Sequence, residues 1–505
     1  MYRARISTKS TILLLIGQFL LATSAFALDG GTLRLNTYNG WKAFEVITAG
    51  DNPAGDGFSH SMDTFFDGAG AWLPDPATLR VQVNHEVLDG SISEVNLDLA
   101  ALQTAIANVI SGGSTGGVGF VVSARQAYDS WSDDGGSTFT PTSDTSNTDF
   151  SRFCSGQAYA PHTFGTNRGF VDEIYITGEE FAVTERLYAI DSLNRDFYEI
   201  SSTGGGPGAR AGIPEDSYEN VALIDTGETA HIALLLSPDG GTQTMRLYVG
   251  EKGKDSSGSA SSSFLARNGL AFGTWYWLIA SYPTLGNTNA GSFSASSAGA
   301  LTSDKIEDVD TSPGDPSRVV MGDQTSGLFS FDFDLVFGSD FNSGASSFTI
   351  TMIANTSNGT GNFGQPDNVD WTDATTLAGT PYPDGLIFVN EDNALGEIWQ
   401  MLPDGTSKVR IADTTISGES TGIFDVSVMV GYLPGSILIT NNQGTPASMS
   451  VLINPDATLL PDEPPVEPPF VPSVPALGDW GMLGLILLFA GAGSVAVLRN
   501  REGLA

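Results

Sequence analysis

Cysteine is almost missing: Cys154 is the sole one in 505 residues, so no intramolecular disulfide can form. A solitary thiol is either plainly buried or a metal ligand, and the sequence leaves both readings open. Basic residues are scarce, with Lys+Arg 22 against Asp+Glu 58 and a formal charge of −36. Phosphate-backbone binding needs concentrated Lys and Arg, so the composition speaks against a nucleic-acid partner. Histidine is limited to His60, His85, His162 and His231, too dispersed for a zinc motif. No Gly-x-Ser-x-Gly elbow and no Walker-type phosphate loop occurs, so a hydrolase of this sequence would rest on metals. Long amphipathic helical patterns are lacking too. The one helix the spacing predicts covers residues 97–110. What remains is ample for a core, with hydrophobic residues at 41% and aromatics at 10%, so the chain is not disordered as a whole. Gly 60 is about 12% of the chain, against a usual ~7%, and reads as a turn-rich β-protein.

The two ends carry address signals. Arg3, Arg5 and Lys9 precede an apolar run over residues 12–21, and Ala25-Phe26-Ala27 supplies a small-x-small cleavage site. Residues 1–27 therefore read as a secretory signal peptide, the alternative being an uncleaved anchor. Removing them takes away three basic residues and no acids, which leaves 19 − 58 = −39 on the mature chain. At the other end, a Pro-rich linker over 456–473 favours extended polyproline II. An uncharged segment follows at 481–498, before Arg499 and Arg501. At about 1.5 Å per residue it rises about 27 Å, enough for a short transmembrane helix with the arginines cytoplasmic. With Val474-Pro475-Ala476-Leu477 and Trp480-Gly481, residues 474–505 resemble the IPTL-CTERM sorting signals. That resemblance implies a Gram-negative source, an exosortase-type processing enzyme as partner, and delivery to the cell surface. In this reading the precursor is held in the inner membrane by the helix before processing. A simple C-terminal anchor is the alternative.

Between the ends, residues 28–455 show short strands separated by turns. Pro403-Asp404-Gly405 separates one predicted hairpin, and Ser192-Leu193-Asn194 another. The Ser-rich stretch 256–263 reads as an exposed flexible loop, and residues 287–300 read similarly. Several strands run straight into acids or amides, at Asn84-His85-Glu86, Glu179-Glu180, Asn390-Glu391-Asp392 and Asn441-Asn442. An acid-(Asn/Asp)-Val unit recurs three times, as Glu219-Asn220-Val221, Glu307-Asp308-Val309 and Asp367-Asn368-Val369. Short repeated sheets with polar residues at equivalent strand ends predict an all-β β-propeller, six-bladed by the resemblance below, with irregular loop insertions. Carboxylates converging on its central channel repel one another unless cations bind, whereas the same acids as solvated turn residues bind nothing. His85 reads as structural rather than catalytic.

Phe153-Cys154-Ser155-Gly156, leading into a strand that ends Glu179-Glu180, resembles the PhoX-type alkaline phosphatases. So do Asn84-His85-Glu86, the three acid-(Asn/Asp)-Val units, and Glu391-Asp392-Asn393, where the family carries Gly in place of Asn393. The match is dispersed over about 400 residues of short motifs. The resemblance implies a six-bladed propeller whose top face holds iron and calcium and hydrolyses phosphate esters. It makes Cys154 a thiolate ligand to iron, and Glu86, Glu179, Glu180, Glu219, Glu307 and Glu391 carboxylate ligands. Asp367 and Asn368 become calcium contacts, and Cys154, Glu179 and Glu180 the catalytic set. A thiolate with carboxylates suits iron, and all-oxygen sites suit calcium. Two rivals stand beside this reading: a calcium-stabilised surface or matrix propeller without catalysis, and an unrelated repeat adhesin. The latter predicts that these residues do not converge.

Overall fold

In the computed structural model, the described residues are 31–53, 62–142, 150–180, 186–202, 205–238, 243–303, 305–356 and 362–461. The expected signal peptide (1–27), residues 462–473 of the Pro-rich linker, and the sorting segment (474–505) with its helix at 481–498 lie outside them. Among the described residues no helix is long and apolar enough to cross a membrane.

Six antiparallel four-stranded blades account for most of the strands. Blade 1 begins with Phe66–Asp75 and blade 2 with Phe153–Tyr159. Blades 3 and 4 begin with Tyr218–Ile224 and Ile306–Thr311, blades 5 and 6 with Pro366–Trp371 and Ser420–Asp425. Each of these first strands packs against the next, and that of blade 6 packs against that of blade 1, so the cycle closes around a central channel. The predicted β-propeller is therefore the architecture found. Strands between two blades are buried on both faces, which explains uninterrupted apolar runs such as Ile232-Ala233-Leu234-Leu235-Leu236 within His231–Pro238. One core cluster joins blades 1 and 6, and another joins blades 3 and 4.

The last blade is completed by the beginning of the chain. Lys42–Thr48 forms its fourth strand against Ser448–Ile453, while Leu35–Thr37 adds to the outer edge of blade 5 against Val409–Thr414. The predicted helix is present as Leu99–Ile110 within blade 1. It starts two residues later than its periodicity suggests, because Ser91–Asp98 is a strand and the Asp98 carboxylate caps Ala101 N–H at 2.9 Å. Both predicted hairpins form, as Ile398–Met401 with Val409–Thr414 and Leu187–Asp191 with Asp196–Glu199. The reading of 287–300 as a loop is corrected. Thr288–Ser294 is a strand that pairs with Gly273–Ile279 of blade 3 and Ser347–Asn355 of blade 4, fusing the two blades into one sheet. The small residues Thr288, Ala290 and Ser292 form its exposed face, so its composition imitated a loop. The 256–263 turn is mostly exposed and is tied by Asp255, whose carboxylate accepts the N–H groups of Ser257 and Ser259 at 2.9 and 3.0 Å.

Around the channel the first strands come unusually close. A Cβ on Gly68 would lie 2.3 Å from the Gly156 nitrogen, and a Cβ on Gly156 would lie 2.3 Å from the Tyr175 hydroxyl. Neither backbone can retreat without moving a blade, so Gly156→Ala is expected to lower stability by about 1–3 kcal/mol. The urea midpoint, followed by circular dichroism, checks this. An unchanged midpoint contradicts the close approach.

Candidate metal centre

Every first strand carries one extra residue near its channel-top end relative to its hairpin partner. The extra residue falls between Phe66 and Ala69, Phe153 and Gly156, Tyr218 and Asn220, Ile306 and Val309, Pro366 and Val369, and Thr421 and Phe424. Such a bulge breaks the strict alternation of a strand and re-aims a side chain. In five of the six strands two consecutive residues thus serve the channel; in blade 6 the inserted pair is Gly422-Ile423. The first of each pair, Asp67, Cys154, Glu219, Glu307 or Asp367, faces one common cavity. The next residue ties the blades together. Asn220 Nδ2 donates to Asp308 Oδ1 at 2.5 Å, and Val369 N donates to Asp308 Oδ2 at 3.0 Å. Gly422 N donates to Asn368 Oδ1, and Asn368 Nδ2 reaches Ser155 Oγ at 2.7 Å. Asn84 Nδ2 donates to the Cys154 carbonyl at 2.6 Å, Ser155 N to Glu219 Oε1 at 3.0 Å, and Thr421 Oγ1 to the Phe66 carbonyl at 2.9 Å, so the ring of blade-to-blade bonds is continuous. This division of labour is what the acid-(Asn/Asp)-Val unit encodes.

A second tier comes from the residue just past the second strand of a blade. Glu86 follows Thr78–His85, Glu180 follows Ile174–Glu179, and Asp392 follows Ile387–Glu391. All three line the cavity. Gln324 and Gln443 hold the same position after Arg318–Asp323 and Ile437–Asn442. Gln443 Nε2 donates to Asp67 Oδ2 at 2.7 Å and to Glu86 Oε2 at 2.9 Å, and Gln324 Nε2 donates to Asp392 Oδ2.

The cavity, of about 130 Å³, is lined by Asp67, Glu86, Glu180, Glu219, Glu307, Asp367, Asp392, Glu419 and Cys154, with Arg152 and Lys305 as its cations. Eight carboxylates thus face two positive charges. Lys305 Nζ lies 3.1 Å from Glu307 Oε1 and 3.5 Å from Glu180 Oε1, and Arg152 Nη1 lies 3.6 Å from Glu86 Oε1. The excess negative charge is visible in the acidities. Burial, then Glu86, Glu219 and Glu180, holds the Asp67 carboxyl well above the ordinary range. Burial, then Glu307 and Asp67, does the same to Asp367, and burial raises Glu86. Glu419 is raised by burial and by its hydrogen bond with Asp392. Burial pushes the Cys154 thiol up, helped by Glu219 and Glu180, and its Sγ donates to Glu180 Oε2 at 3.0 Å.

Three groups bring their ligand atoms within 4.8 Å of one another: Asp67, Glu86 and Cys154; Cys154, Glu180 and Glu219; and Glu219, Glu307 and Asp367. Cys154 belongs to the first two groups and Glu219 to the last two, so adjacent positions share a donor. The third group is all oxygen and suits a hard cation, whereas the first two combine thiol and carboxylate as iron sites do. The donor set therefore fits both metals.

Of the residues singled out from sequence, Cys154, Glu86, Glu180, Glu219, Glu307 and Asp367 meet at this cavity, contrary to what the adhesin reading predicts. Three others do not face it. Glu179 turns away, accepting Ser151 N at 2.8 Å and facing the Tyr188 hydroxyl at 3.4 Å. Glu391 does the same in blade 5, accepting Gly364 N at 2.7 Å and Asn393 Nδ2 at 2.7 Å. Each is the last residue of a strand, so alternation sends it to the face opposite Glu180 or Asp392. Asn368 serves as a link between strands beneath the cavity. His85 is structural as expected: buried, with Nε2 2.7 Å from Ser93 Oγ and the ring edge-on to Phe66. Sequence reasoning missed Asp67, Asp392, Glu419, Arg152 and Lys305. Asp392 was signalled by its phase one residue past Glu391. Asp67 lacked the Asn-Val that marks its counterparts.

No protein-family model and no curated protein sequence matches the chain. Among solved structures, the chain is similar to Pseudomonas fluorescens PhoX in complex with vanadate, a transition state analogue. The identity is 11%, the TM-score 0.55, and the match covers 86% of this chain and 98% of that one. A glucose dehydrogenase is also matched at 6% identity and a TM-score of 0.37, over 81% of this chain and 99% of its own. At such identity the first likeness speaks for the PhoX-like propeller fold.

Proposed function

We propose that the chain is a metal-dependent phosphate ester hydrolase whose small-molecule substrates bind over the carboxylate–thiol cavity. The observation that carries this reading is the meeting of Cys154 with eight carboxylates and two basic side chains at one channel mouth. The fold shared with a vanadate-bound PhoX supports it. Glu219, Glu307 and Asp367 would hold calcium, and Cys154 with Glu180, Glu219, Asp67 and Glu86 would hold iron. Bound cations would polarise the phosphoryl oxygens and offset charge on the leaving oxygen. The chain's own part is to gather and orient. Gln443 and Gln324 fix carboxylates from behind, and Asn84 and Ser155 fix the strand that carries Cys154. Arg152 and Lys305, now paired with Glu86, Glu180 and Glu307, would turn to the phosphoryl oxygens once those acids are committed to cations. We further place the protein outside the inner membrane, exported by residues 1–27 and sorted through residues 474–505 by an exosortase-type enzyme.

Elemental analysis of the purified mature chain, paired with release of phosphate from p-nitrophenyl phosphate, tests the reading. Iron and calcium should copurify, and Cys154→Ala should lose iron and hydrolysis together. Retention of both in that variant overturns the assignment. The confined volume of the cavity, about 130 Å³, favours one second reading, a propeller that uses cations for stability alone. Cation binding that raises thermal stability without hydrolysis of any phosphate ester would select it.

A further inference from the structure

The first strands end, at the other side of the channel, in a second and larger cavity of about 610 Å³. Its character differs from that of the metal centre. Leu73, Phe164, Val428 and Met429 give it an apolar wall, and Leu73 and Val428 are 40% and 58% exposed at its rim. Every charged side chain that lines it is an acid: Glu173, Asp310, Asp370, Asp373 and Asp425. Arg80 and Arg318 stack on Trp72 and Trp371 but do not line the cavity.

Two of these acids are committed to the scaffold. Asp310 accepts Trp371 N at 2.7 Å, Thr311 N at 2.8 Å and Gln157 Nε2 at 2.5 Å. Asp425 accepts Gly435 N at 2.9 Å and Ser427 N at 2.8 Å. Asp370 differs. Its Oδ1 accepts Asp425 N at 3.1 Å, but its Oδ2 is buried with no hydrogen-bond partner among the described residues. Burial and the neighbouring Asp310 and Asp425 hold this carboxyl well above its ordinary range, as happens where a countercharge is missing. A bare divalent ion is a poor match, because these three aspartates are not among the groups whose ligand atoms come within 4.8 Å of one another. A mouth of several hundred Å³ with an apolar wall and a few convergent polar groups, Asp370 and Glu173 among them, is instead the form of a small-molecule site.

We propose that this mouth binds a small organic cation, its ammonium head beside the Asp370 carboxylate and its apolar body against Leu73, Phe164, Val428 and Met429. The proposal is independent of the phosphatase reading, since it concerns the other end of the channel. Isothermal titration of the full chain with phenethylammonium, and with 2-phenylethanol as the uncharged counterpart, tests it. One saturable site is expected for the amine, with the alcohol at least ten-fold weaker. Asp370→Asn keeps an acceptor for Asp425 N–H while removing the charge, and should weaken the amine at least ten-fold. Leu73→Lys, which puts a positive charge on the exposed rim, should do likewise and serves if Asp370→Asn does not fold. Glu219→Gln, at the metal centre, should leave amine binding unchanged. The proposal is overturned if the amine does not saturate, if the alcohol binds equally well, or if the variant at Asp370 or Leu73 binds as the parent does. Loss of amine binding in Glu219→Gln overturns it too, by assigning the amine to the metal centre.

Discussion

Glu219→Gln is expected to lower kcat/KM for p-nitrophenyl phosphate by on the order of 10²–10³-fold and to remove more than one equivalent of bound metal. Glu219 belongs to two of the three groups of converging ligand atoms, so its charge serves two positions at once. Its Oε1 also accepts Ser155 N at 3.0 Å and Ser155 Oγ at 2.7 Å, bonds that the amide oxygen of glutamine can keep. The substitution therefore removes charge while the blades stay tied. Glu391→Gln is the sharp comparison. Glu391 is equally a strand-end glutamate and equally buried, but its carboxylate faces Gly364 N and Asn393, away from the cavity. It should retain its metal and stay within a few-fold of the parent in rate. Elemental analysis and steady-state kinetics on both variants decide the matter. Equal losses in the two would mean that the cavity is not where hydrolysis occurs.

Stripped of divalent cations, the body should be more stable at pH 5 than at pH 8, the reverse of ordinary acid denaturation. Burial raises Glu179 to about 7, Asp308 to about 7 and Glu391 to about 8, and it holds Asp67 and Asp367 well above their usual range. A carboxyl raised in the folded state keeps a proton that the unfolded chain gives up near pH 4. Its contribution is fully present below that pH and is lost as pH rises through the folded value, here up to about 8. Each such displacement is worth on the order of 3–5 kcal/mol, and contributions from interacting groups do not simply add. Urea midpoints measured in chelator from pH 5 to pH 8 should fall. Calcium at about 1,000 times its dissociation constant should return about 4 kcal/mol at the upper end, because it binds the ionised cluster of the folded state. A flat or rising midpoint in chelator would show that the cluster carries no such strain.

Much of this was legible, because a repeat writes its design several times. The three acid-(Asn/Asp)-Val units marked three first strands, and the hairpin turn at Pro403-Asp404-Gly405 carried its own chemistry. The errors share a physical origin in phase. Alternation alone cannot tell Glu391 from Asp392 until the strand end is fixed, and one residue of slip exchanges the buried link for the cavity. The bulges hide a second regularity, since an inserted residue lets neighbours such as Glu307 and Asp308 both serve the channel. Asp67 escaped notice because Gly68 follows it, not Asn or Asp, and Glu419 because it lies ahead of its strand and not at the inserted pair. Thr288–Ser294 escaped because a strand exposed on one side and rich in Ser, Thr and Asn has the composition of a loop.

The closure of blade 6 also fixes how the molecule bears load. Ser448–Ile453, the last strand before the chain leaves the body, is not an edge. It lies between Ile437–Asn442 and Lys42–Thr48, laddered to both. Tension applied to the polypeptide beyond Ile453 must therefore shear two rows of hydrogen bonds together, whereas an edge strand would peel away one bond at a time. One of those rows belongs to the start of the chain, so a pull at one terminus is resisted by the other.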